Sequence, residues 1–248
     1  MNTSTILHKM RALRLGNMAD NLEVMLKQPN NLDEATLEAV DFLLDCEKVG
    51  RDETKRTNQI KKANVQYKLA HPDNVLYSGY RELNKSALQG LFRGHWFKNQ
   101  NNIVLEGSQR CGKTYIASAL AVSALMANQT VYFWDFDSFL EELNLASIGH
   151  PEAKLHDKLY KPDVVVIDDW CYRIVTPLIA DMMVATLDNL LGSTSLILAS
   201  VVPQQEWIQS LSIKKKHTAV LEKFANRSHH LTLYPPSSAG PIGHPGSA

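Results

Sequence analysis

The sequence predicts an α/β fold in which helices cover both faces of a parallel sheet, and three observations support this. Short apolar strands alternate with helical patterns over the last two-thirds of the chain. These strands are almost entirely apolar, which is typical of strands that are covered on both faces. One strand and one helix flank a loop that has glycines at fixed positions. The first third of the chain has only helical periodicity, so we expect a small helical N-terminal domain in front of a three-layer αβα domain.

The first third of the chain contains two helical stretches. A proline at position 29 interrupts the first stretch, a second amphipathic stretch begins at residue 33, and a highly charged helical pattern continues to residue 69. Pro72 and Gly79 mark a linker. We therefore place the helical domain at residues 1–72 and the α/β domain at 73–234. The apolar positions of the first stretch are Ile6, Leu7, Met10, Leu13, Met18, Leu22 and Met25.

The α/β domain is predicted to contain five strands. After the second strand, Ser138 and Glu141 have the spacing of a capping box, so we expect the next helix to open there. Thr176 and Pro177 suit the cap and the first position of a later helix that runs to residue 191. The segment 235–248 is rich in proline, glycine and serine, and we expect it to be disordered. The predicted strands are 102–105, 130–134, 164–167, 196–199 and 230–233.

The composition limits the class of protein. The chain has 26 basic and 26 acidic side chains, so any contact with nucleic acid needs a local basic patch. Its three cysteines, Cys46, Cys111 and Cys171, have unrelated spacings, which argues against a disulfide framework or a zinc site and suits a reducing compartment. The first residues lack the apolar core of a signal peptide, and no apolar stretch is long enough to cross a bilayer. We therefore expect a soluble, cytoplasmic protein without membrane contact.

Residues 107–114 read GSQRCGKT and match the P-loop pattern G-x-x-x-x-G-K-[ST]. The glycines let the backbone N–H groups surround a phosphate, Lys113 reaches the β- and γ-phosphates, and the Thr114 hydroxyl can bind Mg²⁺. A predicted strand precedes the loop and a predicted helix follows it at 115–126, which is the context that the pattern requires. We therefore predict that ATP and Mg²⁺ bind here. The predicted nucleotide-binding residues are Gly107, Ser108, Gln109, Arg110, Cys111, Gly112, Lys113, Thr114 and Tyr115.

The apolar strand 164–167 ends in two carboxylates, the arrangement called Walker B. We expect Asp168 to hold Mg²⁺ together with Thr114. Asp169 would polarise the attacking water as the general base, with Lys113 as the second catalytic residue. The alternative is an Asp pair that caps a turn.

Hydrolysis also needs a positive charge near the γ-phosphate, often an arginine from a neighbouring subunit. The candidates are Arg173, just after Walker B, and Lys223 and Arg227 near the end of the domain. The alternative, which the sequence favours for each of them, is an ordinary surface charge. Ser200 ends the fourth predicted strand and could contact the γ-phosphate or the attacking water. It could equally be a buried turn hydroxyl.

A basic stripe is predicted on the second helical stretch. At about 100° per residue, Lys48, Arg51, Lys55 and Lys62 fall on one line of a helix. Such a stripe could follow the phosphate backbone of DNA, and a solvated helix face explains it equally well. A second short basic run, 214–217, lies in a predicted loop, where it could contact DNA or only aid solubility.

Several motifs resemble those of the IstB-like ATPases, which are AAA+ helpers of insertion-sequence transposases and relatives of the bacterial helicase loader DnaC. The resemblance extends from about residue 6 to residue 233. Its most specific parts are an Ile-Asp-Asp-Trp run at 167–170 and a Pro-x-x-x-Trp run at 203–207, and these favour the transposition helper over the helicase loader. The other matching segments are 13–19, 107–114, 131–133 and 139–143.

The resemblance implies an AAA+ core behind a helical N-terminal domain. It also implies that ATP drives subunits into a homo-oligomer on double-stranded DNA, which the transposase of the same mobile element recognises. A helicase loader, a catalytically silent ATP-dependent scaffold and a small-molecule P-loop kinase are the alternatives. The kinase would need an arginine-rich lid, and residues 146–161 contain no arginine.

The chain departs from the family pattern at positions that concern hydrolysis. Val201 stands where the family has a polar γ-phosphate sensor, and Asn189 stands where it has a basic residue. A Glu-Lys-Phe run at 222–224 takes the place of an Asp-Arg-Leu-like run, and residues 235–238 replace a Gly-x-Ser-x-Arg-like ending. We therefore expect ATP binding with weakened hydrolysis.

Overall fold

The structure is a computed structural model that describes residues 3–27, 34–75, 77, 84–149, 153–210 and 217–234. The chain divides into two compact units, residues 1–58 and 59–248, which are described separately. This division falls near the end of a long helix, whereas the sequence suggested a boundary after residue 72. Residues between 60 and 75 are counted with the second unit because Ala63, Val65 and Val75 are buried in its core.

The first unit consists of α1 (Thr3–Ala12), α2 (Gly16–Leu26) and the part of α3 (Glu34–Lys62) that lies before residue 59. Met18 and Met25 are about half exposed, at 49% and 47%, although they continue the helical spacing of the first stretch. The tight turn at Arg14, whose φ is +59°, ends α1 and resets the helical phase. The buried core of the unit is Ile6, Met10, Ala19, Leu22, Leu37 and Leu44.

The second unit contains one parallel sheet of five strands in the order β2-β3-β4-β1-β5. The predicted α/β class is confirmed, and each predicted strand is present with slightly different ends. The strands are β1 (Asn102–Gly107), β2 (Val131–Asp135), β3 (Val164–Asp168), β4 (Ser195–Ser200) and β5 (Ser228–Leu233). The helices are α4 (Lys85–Phe92), α5 (His95–Lys98), α6 (Lys113–Met126), α7 (Phe136–Ser147), α8 (Ala153–Leu159), α9 (Pro177–Leu190), α10 (Trp207–Ser210) and α11 (Thr218–Asn226).

The side chains of the central strands alternate between two apolar cores, one on each face of the sheet. In β3, Val164 and Val166 belong to the core that contains α6, whereas Val165 and Ile167 belong to the core that contains α9. The same alternation holds in β4. Since side chains of a strand point to opposite faces in turn, both faces of the sheet are covered and the unit has three layers.

Two helix starts show how local capping works in this unit. The prediction that Ser138 opens a helix was wrong, because α7 begins at Phe136. Asp135 is the cap, and its carboxylate accepts hydrogen bonds from the Ser138 N–H at 2.9 Å and from the Ser138 hydroxyl at 2.7 Å. The predicted start of α9 is confirmed, since Thr176 accepts from the Ile179 N–H and Pro177 is the first residue.

The segment after α3 protects the edge strand β2. The Phe133 N–H donates to the Ala63 carbonyl at 2.8 Å, and the Asn64 side-chain amide donates to the Phe133 carbonyl at 3.2 Å. An open strand edge would otherwise be available for pairing with another chain. No helix in the described ranges is long and apolar enough to span a membrane. The predicted tail at 235–248 and the basic residues 214–216 lie outside the described residues.

Candidate nucleotide-binding site

The P-loop begins at a position that only glycine can occupy. Gly107 ends β1, pairs with Leu233 of β5 and has a φ of +152°. A Cβ atom at this position would lie 2.1 Å from the Leu233 carbonyl oxygen and 2.8 Å from Cys111 Sγ. Residue 107 must therefore lack a side chain for the loop to pass this close to β5.

The loop then leads directly into the long helix α6. Gly112, with a φ of +93°, precedes the first residue of α6, Lys113. No side chain in the described part of the chain caps this helix start. The first backbone N–H groups of a helix lack partners within the helix, and together with the helix dipole they favour an anion. The start of α6 is therefore suited to bind phosphate.

Lys113 is held inside the loop, with only 5% of the residue exposed. Its Nζ donates to the carbonyl oxygens of Gly107 at 2.9 Å and Ser108 at 2.8 Å, and it lies 3.8 Å from Cys111 Sγ. Carbonyl oxygens orient an ammonium group but do not neutralise its charge. The positive charge therefore stays available to an anion that enters the loop.

Thr114 and Asp168 lie side by side, although they come from different elements. Asp168 ends β3 and is 3% exposed, and the Thr114 side chain is close enough to influence its carboxyl. Burial raises the pKa of the Asp168 carboxyl, and the nearby Thr114 hydroxyl and the charge of Lys113 oppose that rise. Its Oδ1 atom is buried and has no hydrogen-bond partner among the described residues.

These contacts form a suitable donor set for a divalent cation. A carboxylate oxygen that is buried without a partner is costly, and a hard cation with oxygen ligands removes that cost. Thr114 supplies a hydroxyl oxygen next to it, and the phosphate-binding loop is adjacent in sequence. Thr114 and Asp168 therefore fit Mg²⁺, as the motif predicts.

Asp169 has a different environment from Asp168. It is exposed, and its backbone is in the left-handed region with a φ of +54°. The Trp170 N–H donates to the Ala199 carbonyl at 2.8 Å, and Cys171 again has a positive φ of +59°. This tight turn buries Trp170 and leaves the Asp169 carboxylate in solvent.

Trp170 and Trp207, which belong to the two most specific motifs, join the loops that follow β3 and β4. The rings of Trp170 and Trp207 are 6.0 Å apart and nearly perpendicular. The Ser200 hydroxyl is within hydrogen-bond distance of the Trp170 carbonyl at 2.7 Å and the Val202 carbonyl at 2.8 Å, and it accepts from the Val202 N–H. Ser200 is fully buried and links the two loops, which agrees with the interpretation as a turn hydroxyl. Its role as a sensor stays a prediction.

Arg173, the candidate donor after Walker B, is bound by an acidic residue of α7. Its guanidinium lies 2.8 Å from the Asp137 carboxylate, and the Tyr172 hydroxyl donates to the same carboxylate at 2.6 Å. The hydrogen bond from Tyr172 and the pairing with Arg173 lower the pKa of Asp137. The side chain of Arg173 is half-exposed, so a neighbouring subunit could compete for it.

The other two candidate cations lie away from the P-loop of their own chain. Arg227 directly precedes β5, and its carbonyl accepts from the N–H of Asn102, the first residue of β1. The P-loop follows the carboxyl end of β1, so Arg227 lies at the opposite, amino-terminal end of the strands. Lys223 is exposed and lies 3.6 Å from Asp188. Within one subunit, Arg227 cannot act as a sensor, and only a role in a neighbouring subunit stays a prediction.

The predicted basic stripe lies on the continuous helix α3. Lys48, Lys55 and Lys62 are exposed. Arg51 donates to the Glu47 carboxylate at 2.6 Å and to the Leu13 carbonyl at 2.7 Å. Arg51 thus stabilises the end of α1, and it has less freedom than the lysines to contact DNA. Contact of the stripe with DNA stays a prediction.

Three residues of this region were missed in the sequence. Glu106, directly before the P-loop, accepts from the Gln204 N–H at 2.8 Å and ties β1 to the loop after β4. Its position at the end of a strand next to the motif was the available signal. Asp137 was missed because its partner is distant in sequence. The ring of Tyr67 lies 5.8 Å from that of Tyr115 in the first turn of α6, and no local pattern predicts this.

Comparison with solved structures identifies the fold of about two-thirds of this chain. DnaI aligns with a TM-score of 0.57 at 16% identity, covering 66% of this chain and 91% of DnaI. The DnaC helicase loader aligns with a TM-score of 0.51 at 15% identity, covering 66% of this chain and 96% of the loader. The replication initiator DnaA bound to AMPPCP and single-stranded DNA aligns at 0.55 and 16% identity, covering 68% of this chain and 51% of DnaA. At such identities, these likenesses show the fold alone.

Sequence comparison identifies the family. A protein described as an ATP-binding protein of insertion sequence IS1162 from Pseudomonas fluorescens is 28% identical over 203 residues, covering 82% of this chain and 88% of the relative. An insertion-sequence protein from Mycobacterium tuberculosis, also described as ATP-binding, is 25% identical over 232 residues, covering 92% and 91%. The family model for the IstB-like ATP binding protein matches residues 8–238. The resemblance seen in the motifs is confirmed: this chain belongs to the family of IstB-like ATP-binding proteins.

Proposed function

We propose that this protein is the ATP-dependent helper of an insertion-sequence transposase, and that it assembles as a homo-oligomer on double-stranded DNA in the cytoplasm. The observation that carries the proposal is that the start of α6, with Thr114 and the buried Lys113, lies close enough to the buried Asp168 at the end of β3 to influence its carboxyl. Family membership and relatives named for insertion sequences support the transposition context.

The residues of the site have separate tasks in this proposal. The loop 107–112 and the first N–H groups of α6 bind the phosphates, and Lys113 pairs with the β- and γ-phosphate oxygens. Thr114 and Asp168 would hold Mg²⁺, which neutralises charge on those oxygens when bound. Asp169, exposed at the same end of β3, orients the attacking water and accepts its proton.

We also propose that an isolated subunit hydrolyses ATP slowly. Val201 has no polar atom in its side chain to sense a γ-phosphate, and the Ser200 hydroxyl is already used between two loops. Arg173 is paired with Asp137, and Asn189 provides no charge. A neighbouring subunit would then have to supply the missing cation, and Arg173, Lys223 and Arg227 are the candidates. Lys48, Arg51, Lys55 and Lys62 are the candidate DNA contacts.

The experiment measures ATPase activity and particle size with and without duplex DNA. If the proposal is right, both rise when DNA is added, and Lys113→Ala abolishes the rise. Lys27→Ala is the matched control, since this lysine is exposed on the first unit. Brisk hydrolysis by a monomer without DNA would contradict the need for a second subunit. ATP-dependent assembly without turnover would indicate a silent scaffold.

A helicase loader is the second candidate, because DnaC and DnaI share the fold over 66% of this chain. Their low identity does not carry their partners over to this chain, whereas the family match favours transposition. Pull-down with the tagged full chain in the presence of ATP separates the two. Capture of a replicative helicase rather than a transposase would favour the loader.

A further inference from the structure

Two residues on the turn after β3 bind a single carboxylate of α7. The Tyr172 hydroxyl donates to Asp137 Oδ2 at 2.6 Å. Arg173 Nε donates to Asp137 Oδ1 at 2.9 Å, and a second guanidinium nitrogen, Nη2, lies 2.8 Å from the same oxygen. Phosphate, like carboxylate, is an oxyanion that a guanidinium binds through neighbouring nitrogens. Tyr172 and Arg173 therefore form an oxyanion receptor, and Asp137 is the oxyanion that occupies it.

The oxyanion receptor is held in place by the packing of the turn. Trp170, two residues before Tyr172, is fully buried, and its N–H donates to the Ala199 carbonyl at 2.8 Å. The ring of Tyr172 lies 5.8 Å from that of Phe136 and nearly perpendicular to it. A site whose donors are already oriented loses little entropy when it takes a ligand. The receptor therefore needs little rearrangement to take another anion.

Asp137 can leave the oxyanion receptor at little cost in free energy. Its side chain is 57% exposed and that of Arg173 is 49% exposed, and ion pairs this open to water contribute little stability. Asp137 also lies in the first turn of α7, where the helix dipole stabilises a negative charge. A displaced Asp137 therefore stays hydrated beside a favourable helix end, and another anion can replace it.

The layers of the second unit indicate that the competing anion comes from outside the subunit. Phe136, against which Tyr172 packs, belongs to the core that contains α9. The helix α6, which follows the P-loop, packs in the core on the other face of the sheet. The oxyanion receptor therefore lies in the layer that does not carry the subunit's own phosphate loop. In the proposed assembly, the external phosphates are those of the DNA backbone and of ATP bound by another copy.

We propose that Tyr172 and Arg173 form a second phosphate-binding site, which Asp137 occupies in the free chain and which an external phosphate takes over by displacing it. The inference rests on the proposed function, which supplies the phosphate, either from DNA or from ATP bound to a second copy. It adds Tyr172 as a phosphate ligand beside Arg173, and it makes Asp137 an internal competitor. Phosphate binding is therefore weaker than the two donors alone would allow, since a carboxylate must first be replaced.

Chemical modification tests the oxyanion receptor without relying on DNA or on ATP hydrolysis. Phenylglyoxal modifies accessible arginines, and mass spectrometry of the peptide that contains Arg173 measures the rate. The full chain with Lys113→Ala is used, so that the P-loop contributes little to phosphate binding. We expect Asp137→Ala to raise the rate at Arg173 about two- to fivefold, and millimolar inorganic pyrophosphate to reverse that rise. Equal rates with and without Asp137, or no protection by pyrophosphate, would overturn the site.

Tyr172→Phe tests the contribution of the hydroxyl. In the chain that also carries Asp137→Ala, it should weaken protection by pyrophosphate about threefold, the scale of one lost hydrogen bond. Both side chains are exposed, so circular dichroism should show that these variants are folded. Unchanged protection would remove Tyr172 from the site.

Two further measurements identify the source of the phosphate. If DNA supplies it, Asp137→Ala should tighten the binding of duplex DNA about two- to fivefold in fluorescence anisotropy, and Arg173→Ala should lower the salt slope by about one. If ATP on a second copy supplies it, Asp137→Ala should raise the hydrolysis rate of the DNA-bound assembly about two- to fivefold, with DNA affinity unchanged. No change in either quantity would exclude a role for the site in the assembly.

Two controls separate the oxyanion receptor from a general effect of charge. Glu141→Gln removes an exposed negative charge from the same helix, about one turn further on, and should change neither measurement. In the chain with Arg173→Ala, Asp137→Ala should have no effect, because Asp137 acts only through Arg173. A gain that persists without Arg173, or that Glu141→Gln reproduces, would contradict the receptor. If the unaltered chain neither binds DNA nor hydrolyses ATP, the proposed function fails, whereas the pyrophosphate measurement still decides the site.

Discussion

The nucleotide site and the exposed apolar residues of α3 depart in opposite ways from the usual distribution of side chains. At the carboxyl end of the sheet, Lys113 and Asp168 are charged residues that are almost completely buried. On α3, Phe42 and Leu43 are large apolar residues that are mostly exposed. Each arrangement is unfavourable for the isolated chain, since charges favour water and apolar surface avoids it. The comparison suggests that each surface is suited to a different partner, an anion with its cation in one case and an apolar surface in the other.

The largest expected effect is the loss of nucleotide binding in Lys113→Ala. This change removes the only side-chain charge that the P-loop pattern directs at the β- and γ-phosphates. We expect ATP affinity to fall by about 100-fold or more, which is the scale of a lost hydrogen-bonded charge pair. Calorimetry with Mg-ATP measures it, with Lys27→Ala as the control. Unchanged affinity would show that the loop is not the binding site.

The next effect concerns the fold of the site rather than its charge. Gly107→Ala places a Cβ atom 2.1 Å from the Leu233 carbonyl oxygen, at a φ of +152°. We expect the free energy of unfolding to fall by about 3 kcal/mol. Thermal unfolding should therefore occur roughly 6–12 °C lower.

The matched control for this variant is Gly90→Ala in α4, where an added Cβ meets nothing within 4 Å. Alanine is favoured over glycine inside a helix, so this control should be neutral or slightly stabilising. Equal destabilisation by both variants would mean that the close approach of Gly107 to β5 is not what requires glycine.

A smaller effect, with the opposite sign, is expected from Asp168→Asn. Burial raises the pKa of Asp168 in the folded chain, so folding favours its protonated form. The ionised form therefore costs stability, and this cost is absent below the pKa of the unfolded chain and complete above the raised pKa. At neutral pH the variant should be more stable by about 1–3 kcal/mol, the scale of a buried polar group without a partner.

The same variant should lose the dependence of ATP binding on Mg²⁺.

The gain in unfolding temperature of Asp168→Asn should shrink as the pH falls toward acidic values, and differential scanning calorimetry across that range measures it. A gain that is constant with pH, or a loss of stability at neutral pH, would contradict the interpretation of Asp168 as a buried carboxylate whose ionised form costs stability.

The smallest effect on stability is expected at Phe42, an exposed residue of α3. Phe42→Ser changes an exposed side chain and should alter the free energy of unfolding of a monomeric sample by no more than about 0.5 kcal/mol. Leu44→Ala, two residues on, removes buried contacts and should cost about 2–5 kcal/mol. Denaturant titration at low protein concentration compares the two. Similar losses in both would mean that Phe42 is part of the core.

The parts of the molecule that depend on local patterns were predictable from the sequence. The strands are short apolar runs, and the P-loop has a fixed spacing, so the α/β class and the position of the phosphate loop follow from the residues themselves. The cap of α9 was also local, since Thr176 and Pro177 are adjacent. The start of α7 was missed because Asp135 and Ser138 are both residue types that cap helices. The sequence does not show that Asp135 is the one that does so.

The parts that depend on distant contacts were not predictable. Arg227 lies at the amino-terminal end of the strands, away from the P-loop, because β5 pairs in parallel with β1, and no single segment of the sequence shows this pairing. The Ser200 hydroxyl is hydrogen-bonded to the carbonyl of Trp170, which lies thirty residues earlier in the chain. Arg51 was counted only as a basic residue, but it binds the Leu13 carbonyl at the end of α1.

The contact between Trp170 and Trp207 has a mechanical consequence. Trp170 is adjacent to Asp169, and Trp207 begins α10, so the two indoles couple the end of β3 to the segment after β4. Hydrogen bonds also hold this segment: the Gln204 N–H donates to Glu106 at the end of β1, and Ser200 at the end of β4 binds the Trp170 carbonyl. A displacement of the Asp169 turn would press directly on Trp207 through these packed rings. The surface at 203–210 would move with it, and this surface would report the state of the phosphate site to whatever molecule rests against it.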